Sequence, residues 1–216
     1  VPVFTDRAEG AKFWDVDGNE YIDYVGGYGA VALGYRHPKV EEAARKQMER
    51  VDACSITSDQ WVEMSETVVR EIPMCDFVAY GKNGSDATTY AAMLARAHTG
   101  RNGIVMAEHA YHGLHNWCIE SDVGIPPEYK SHVYKLQYND VEDLEEALNK
   151  HKGEIAGVFL LPVGHWSLKD QEDPEPGFFE GVRKLCDEHG CLMLVDDVRC
   201  GFRIKFEGSI SYFADV

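Results

Sequence analysis

FVAYGKNGSDATTYAAMLARAHTG, residues 77–100, opens on a short apolar run from Phe77 to Tyr80. It turns through Gly81-Lys82-Asn83-Gly84-Ser85-Asp86 and continues with Ala87, Ala91, Leu94, Ala95 and His98 at helical spacing. The reading is strand, glycine-bearing turn, helix N-terminus. A phosphate docked at such a junction meets unpaired backbone N–H groups, the positive end of the helix dipole and the Ser85 hydroxyl, while Gly84 lets the backbone come close. A plain strand-to-helix turn with Ser85 or Asp86 as its N-cap is the other reading of the same residues. The chain contains no G-x-x-x-x-G-K-[ST], and this segment lacks G-x-G-x-x-G, so the two common nucleotide-phosphate loops are set aside.

Outward from this stretch, short apolar runs alternate with helical patterns. Gly103 to Ala107, His132 to Leu136, Ile155 to Leu161 and Cys191 to Val195 join Phe77 to Tyr80 as candidate strands. Helices are predicted from about Ser85 to Thr99, Asp140 to Lys150 and Phe178 to His189. Asn139 with Glu142 makes a capping box for the second helix, and Gly100 and Gly190 stand where helices end. Alternation of strand and helix predicts an α/β fold, a mostly parallel sheet with helices on both faces. Upstream, Ala11 to Tyr24 reads as a hairpin turning at Asp17-Gly18-Asn19. A helix follows from Pro38 to about Glu49, and another from Thr57 to Glu71 is closed by Pro73. The division expected is an N-terminal hairpin and helix segment, 1–56, and part of a large domain, 57–216.

With 21 Lys plus Arg against 37 Asp plus Glu, the formal charge of −16 argues against nucleic acid or an anionic membrane as partner. No apolar run reaches the roughly 20 residues that span a bilayer, and Val1-Pro2 does not open a signal peptide, so a cytoplasmic protein is expected. The six cysteines form no C-x-x-C pair and suit buried reduced thiols, with no metal site expected.

Leu192-Met193-Leu194-Val195-Asp196-Asp197-Val198 is an apolar strand ending in two carboxylates, where ligands gather in open α/β sheets. Asp196 could keep a pyridine nitrogen protonated, hold magnesium, or serve structure alone. His109-Ala110-Tyr111-His112-Gly113 follows another strand in the same way. Tyr111 is a candidate to stack on a flat heterocycle, and His112 either orients that ring or caps a turn. A zinc reading of His109, His112 and His115 finds no completing carboxylate or cysteine.

Taken in order, several motifs resemble the class III aminotransferases, which are pyridoxal 5′-phosphate (PLP) enzymes of fold type I, especially the glutamate-1-semialdehyde aminomutase-like branch. They are Asp15-Val16-Asp17-Gly18-Asn19-Glu20-Tyr21-Ile22-Asp23, Leu33-Gly34-Tyr35-Arg36-His37-Pro38, Asn83-Gly84-Ser85-Asp86-Ala87, Tyr111-His112-Gly113, Pro174-Glu175-Pro176-Gly177-Phe178 and Asp196-Asp197-Val198-Arg199-Cys200-Gly201-Phe202-Arg203. The resemblance implies that Gly84 and Ser85 hold the PLP phosphate and that Tyr111, with His112 beside it, lies against the ring. It further implies that Val198 packs on the opposite ring face and that Asp196, the catalytic acid, pairs with the pyridine nitrogen. It implies amino-group transfer between a small-molecule donor and acceptor, or intramolecular transfer as in an aminomutase, by a homodimer. The lysine that such enzymes join to PLP is expected beyond Val216, so that this chain alone is an inactive, truncated portion. Two departures touch the substrate side. Leu161-Pro162-Val163-Gly164-His165-Trp166 stands where the family has Glu-Pro-Val and then Gly-Asn, and Gly27 stands where it often has Ser.

Overall fold

The computed structural model of the chain describes residues 2–164 and 170–216, so His165 and Trp166 of the departing segment lie outside the described residues. The chain divides into two units, Val1–Glu63 and Met64–Val216. In the first, β1 (Thr5–Glu9), β2 (Lys12–Asp15) and β3 (Glu20–Ile22) form an antiparallel sheet in that order. The hairpin read from Ala11 to Tyr24 is β2–β3, with Gly18 at φ 84° in its turn; β1 had no sequence signal, being charged and exposed. Asp15 organises the turn. Its carboxylate accepts from the Asn19 backbone at 2.8 Å, the Asn19 side chain at 2.9 Å and the Tyr21 hydroxyl at 2.9 Å. The helix α1 (Pro38–Met48) starts on its proline as expected, and α2 (Asp59–Glu71) runs across the boundary between the units.

The second unit is built on four parallel strands, β4 (Gly103–Ala107), β5 (Val133–Leu136), β6 (Ile155–Leu160) and β7 (Leu192–Val195), in the order β5-β4-β6-β7. Every residue of β4 and β6 is buried, the signature of central strands covered on both faces. On one face α3 (Gly84–Thr99) contributes Ala92 and Ala95 to a cluster with Ile104, Met106, Ala156, Phe159 and Trp117. On the other, α4 (Val141–Lys150) and α5 (Phe178–His189) pack Leu144, Leu148, Val182 and Leu185 against Val105, Leu136, Val158 and Leu160. A 3₁₀ turn at Pro127–Lys130 and a short α6 (Ile210–Phe213) complete the described elements. Gly157 sets how closely the layers approach: a Cβ there would lie 2.8 Å from Leu194 and 3.4 Å from Ala95 of α3.

Two local expectations are corrected. Phe77 to Tyr80 is not a strand; no described segment offers it a ladder, and Phe77 is 74% exposed. The cap of α4 is Asp140, whose carboxylate accepts the Asp143 N–H at 2.8 Å. Asn139 takes a left-handed φ of 65° instead, and its amide serves Glu172, Asp173 and Glu175. Asn139 and Asp140 are both good capping types, and the long-range contacts of the first leave the second to cap.

Candidate functional site

Parallel pairing fixes where the site forms. Phe159 pairs with Met106 and with Leu194, so β4, β6 and β7 end level and the segments after Ala107 and Val195 leave from one edge of the sheet. The N-terminus of α3 is tied to the first of these segments. The Ser85 hydroxyl accepts the Leu114 N–H at 3.0 Å, and the Thr88 hydroxyl donates to the His112 carbonyl at 2.7 Å. Gly113 sits in this contact at φ 118°, where a Cβ would come within 2.5 Å of the Ser85 oxygen. Only glycine lets the two backbones meet there.

The start of α3 has the chemistry of an anion site. Asn83, not Ser85 or Asp86, is the N-cap: its side chain accepts the Asp86 N–H at 3.1 Å, and its carbonyl accepts the Ala87 N–H. The N–H groups of Gly84 and Ser85 meet no acceptor among the described residues. Because Ser85 accepts from Leu114, its own hydroxyl proton is free to donate. Two backbone donors, a hydroxyl and the positive helix end are thus all found in the first turn of α3.

The second half of the site is a buried pair. His112 Nδ1 lies 2.9 Å from Asp196 Oδ2, with the histidine side chain at 0% exposure and the aspartate at 9%. The carboxylate can only accept, so Nδ1 carries the proton. The imidazole is held by the Phe159 ring, at a centroid distance of 5.3 Å, and Phe159 by Trp117 at 5.4 Å. Asp196 is fixed from its other side: its N–H donates to the Leu160 carbonyl at 2.8 Å, and Oδ1 accepts the Val198 N–H at 3.3 Å. A continuous path therefore runs from Ser85 through Leu114 and His112 to Asp196.

Tyr111, next to His112, and Val198, two residues past Asp196, are 56% and 65% exposed, and neither side chain is packed into the core. The structure thus joins His112 to Asp196 directly and Ser85 to them through the Leu114 backbone, and leaves Tyr111 and Val198 as open surface. Asn83 and Thr88 are the members that motif reading missed. The N-cap of Asn83 was legible from its place before the helix, whereas the Thr88 contact depends on a residue far along the chain. The three histidines of the zinc reading diverge: His109 goes to Glu120, His112 to Asp196 and His115 to Thr89. A cavity of about 730 Å³ lined by Arg96, His115, Trp117 and His132 is also lined by Leu114, but by none of Gly84, Ser85, Tyr111, His112, Asp196 and Val198.

Comparison with known proteins agrees with this architecture. The family model for Aminotransferase class-III matches residues 1–205, and the chain belongs to that family. It is 39% identical over 98% of its length to 3-aminobutyryl-CoA aminotransferase of Cloacimonas acidaminovorans and 36% identical over 98% to glutamate-1-semialdehyde 2,1-aminomutase of Syntrophobacter fumaroxidans, covering 51% of each. Among solved structures, the PLP internal aldimine form of a Sphingopyxis sp. protein superposes with a TM-score of 0.91 at 43% identity, over 93% of this chain and 49% of that one. The chain spans about half the length of the curated relatives it matches.

Proposed function

We propose that this chain supplies the phosphate- and ring-nitrogen-binding part of a PLP-dependent enzyme that moves an amino group between small-molecule donors and acceptors. The observation that carries the reading is the coexistence, along one bonded path, of a donor-rich helix start and a buried carboxylate. Those are the two polar groups that a phosphorylated pyridine needs. When bound, the cofactor supplies an electron sink for bonds breaking at the substrate's amino-bearing carbon. The N–H groups of Gly84 and Ser85 and the Ser85 hydroxyl receive the phosphate. Asp196 holds a proton on the ring nitrogen, and His112 keeps that carboxylate oriented and hydrogen-bonded. Tyr111 and Val198 offer the apolar surfaces that cover a flat ring and keep water from it.

Transfer between two molecules is the primary reading. Intramolecular transfer, as in the aminomutase relative, is the second, favoured by the identity to that protein. A homodimer and a cytoplasmic location belong to the same proposal, supported by the family resemblance and by cysteines that are all free. No helix among the described residues is long and apolar enough to cross a membrane. The test is amino-group transfer by the protein that carries this chain, with PLP and a panel of amino donors, in the presence and absence of a keto acceptor. Acceptor-dependent transfer is expected, with Asp196→Ala losing turnover by orders of magnitude while retaining phosphate-dependent cofactor binding. Full activity in that variant overturns the assignment of Asp196, and conversion without any acceptor replaces transamination by the aminomutase reading.

A further inference from the structure

The C-terminal end of α5 lies apart from the site just described. Gly190 ends the helix in the left-handed region at φ 62°, and the Cys191 N–H closes back on the Cys186 carbonyl at 3.0 Å. A bond spanning these positions marks a glycine-terminated helix end in which the side chains at its two ends pack together. Here both are cysteines. They share one core cluster, at 0% and 3% exposure.

A cation stands beside them. The Arg101 guanidinium donates to the His189 carbonyl at 2.8 Å and to the Ile155 carbonyl at 3.1 Å, and it lies 3.5 Å from where a Cβ on Gly190 would be. The neighbouring Cys186 thiol, with Arg101, favours the Cys191 thiolate against the effect of burial, and Cys186 is pushed up in turn. Two buried thiols at the two ends of one helix cap, with a cation hydrogen-bonded to the same helix end, are the parts of an oxidisable pair.

We propose that Cys186 and Cys191 form a dithiol–disulfide couple, an oxidation site built into the cap of α5 that takes a peroxide as its oxidant. The Cys191 thiolate attacks a peroxide oxygen, the O–O bond breaks, and Cys191 becomes a sulfenic acid while the departing oxygen takes a proton. The Cys186 sulfur then attacks Cys191, the S–O bond breaks, and water leaves with the Cys186 proton. With hydrogen peroxide, two thiols and one peroxide become one disulfide and two waters. Both residues are buried but sit beside an exposed glycine at a helix end, where local opening is easiest.

The full chain, folded and reduced, is treated with hydrogen peroxide, quenched, alkylated and digested with trypsin, which releases both cysteines on the peptide Leu185–Arg199. The expected product is that peptide short of the mass of two hydrogens, free of alkyl label, and restored to two labels by dithiothreitol. In Cys186→Ser, Cys191 should stop at a sulfenic acid that dimedone traps; in Cys191→Ser, Cys186 should stay reduced. Full labelling of both residues after peroxide has oxidised exposed Cys54, or a disulfide that forms only after the chain is unfolded in urea, overturns the proposal.

Discussion

Gly113 and His112 are adjacent in sequence yet fail differently when changed. Gly113→Ala places a methyl group 2.5 Å from the Ser85 oxygen at a φ that side chains avoid, so the helix start must move. The expected cost is about 1–3 kcal/mol, read as a lower urea midpoint at unchanged slope, together with weakened phosphate binding. An unshifted midpoint would show that the contact between the two segments is loose. His112→Ala removes a buried hydrogen bond to a carboxylate and should cost about 2–3 kcal/mol. His112→Gln, which can still donate, should recover part of it. Equal losses in the two variants would mean that imidazole packing on Phe159, rather than the bond to Asp196, is what the site needs.

At the scale of elements, α3 depends on Asn83 for its cap. Asn83→Ala should lower stability by about 1 kcal/mol in the same denaturation experiment, without the loss of phosphate donors, since Gly84 and Ser85 still open the helix. The β2–β3 hairpin responds to acid. The Asn19 side chain, backed by backbone N–H groups and Tyr21, holds the Asp15 carboxyl below the usual carboxylate range, and the Tyr35 hydroxyl does the same for Asp23. Groups lowered by folding add stability above their unfolded value of about 4 and lose it as pH falls through the folded value. Hairpin amide signals should therefore collapse below about pH 4 in the wild type. In Asp15→Asn the carboxylate-dependent part of that loss should be absent, and an identical acid profile would contradict the role given to Asp15. The alternation that predicts α3 to α5 and β4 to β7 was legible because burial on both faces imposes it residue by residue. The strand expected at Phe77 to Tyr80 was not, because a strand exists through its partner and sequence shows no partner. The places of Gly84 and Ser85 at a helix start and of Asp196 past an apolar strand were legible in the sequence, while the Thr88 and His112 contacts required the fold.

For the molecule as a whole, burial is uneven. In the first unit neither α1 nor the part of α2 that lies there buries a residue, and Tyr24, Tyr28 and Leu33 are 92%, 83% and 68% exposed. Hydrogen exchange should find β4 and β6 protected to the global stability of the chain, and α1 exchanging through local opening far sooner. Equal protection in both would show that the first unit has cover beyond its own residues. The central claim, that the start of α3 takes the phosphate of a pyridine cofactor whose ring reaches Asp196, is tested most directly on the ¹⁵N-labelled chain titrated with pyridoxamine 5′-phosphate, which needs no lysine to bind. The account predicts saturable shifts of the Gly84 and Ser85 amides, together with shifts at Asp196 and Val198 that unphosphorylated pyridoxamine produces far more weakly. Shifts confined to the cavity lined by Arg96, His115 and His132, or none at Gly84 and Ser85 at millimolar ligand, would contradict it.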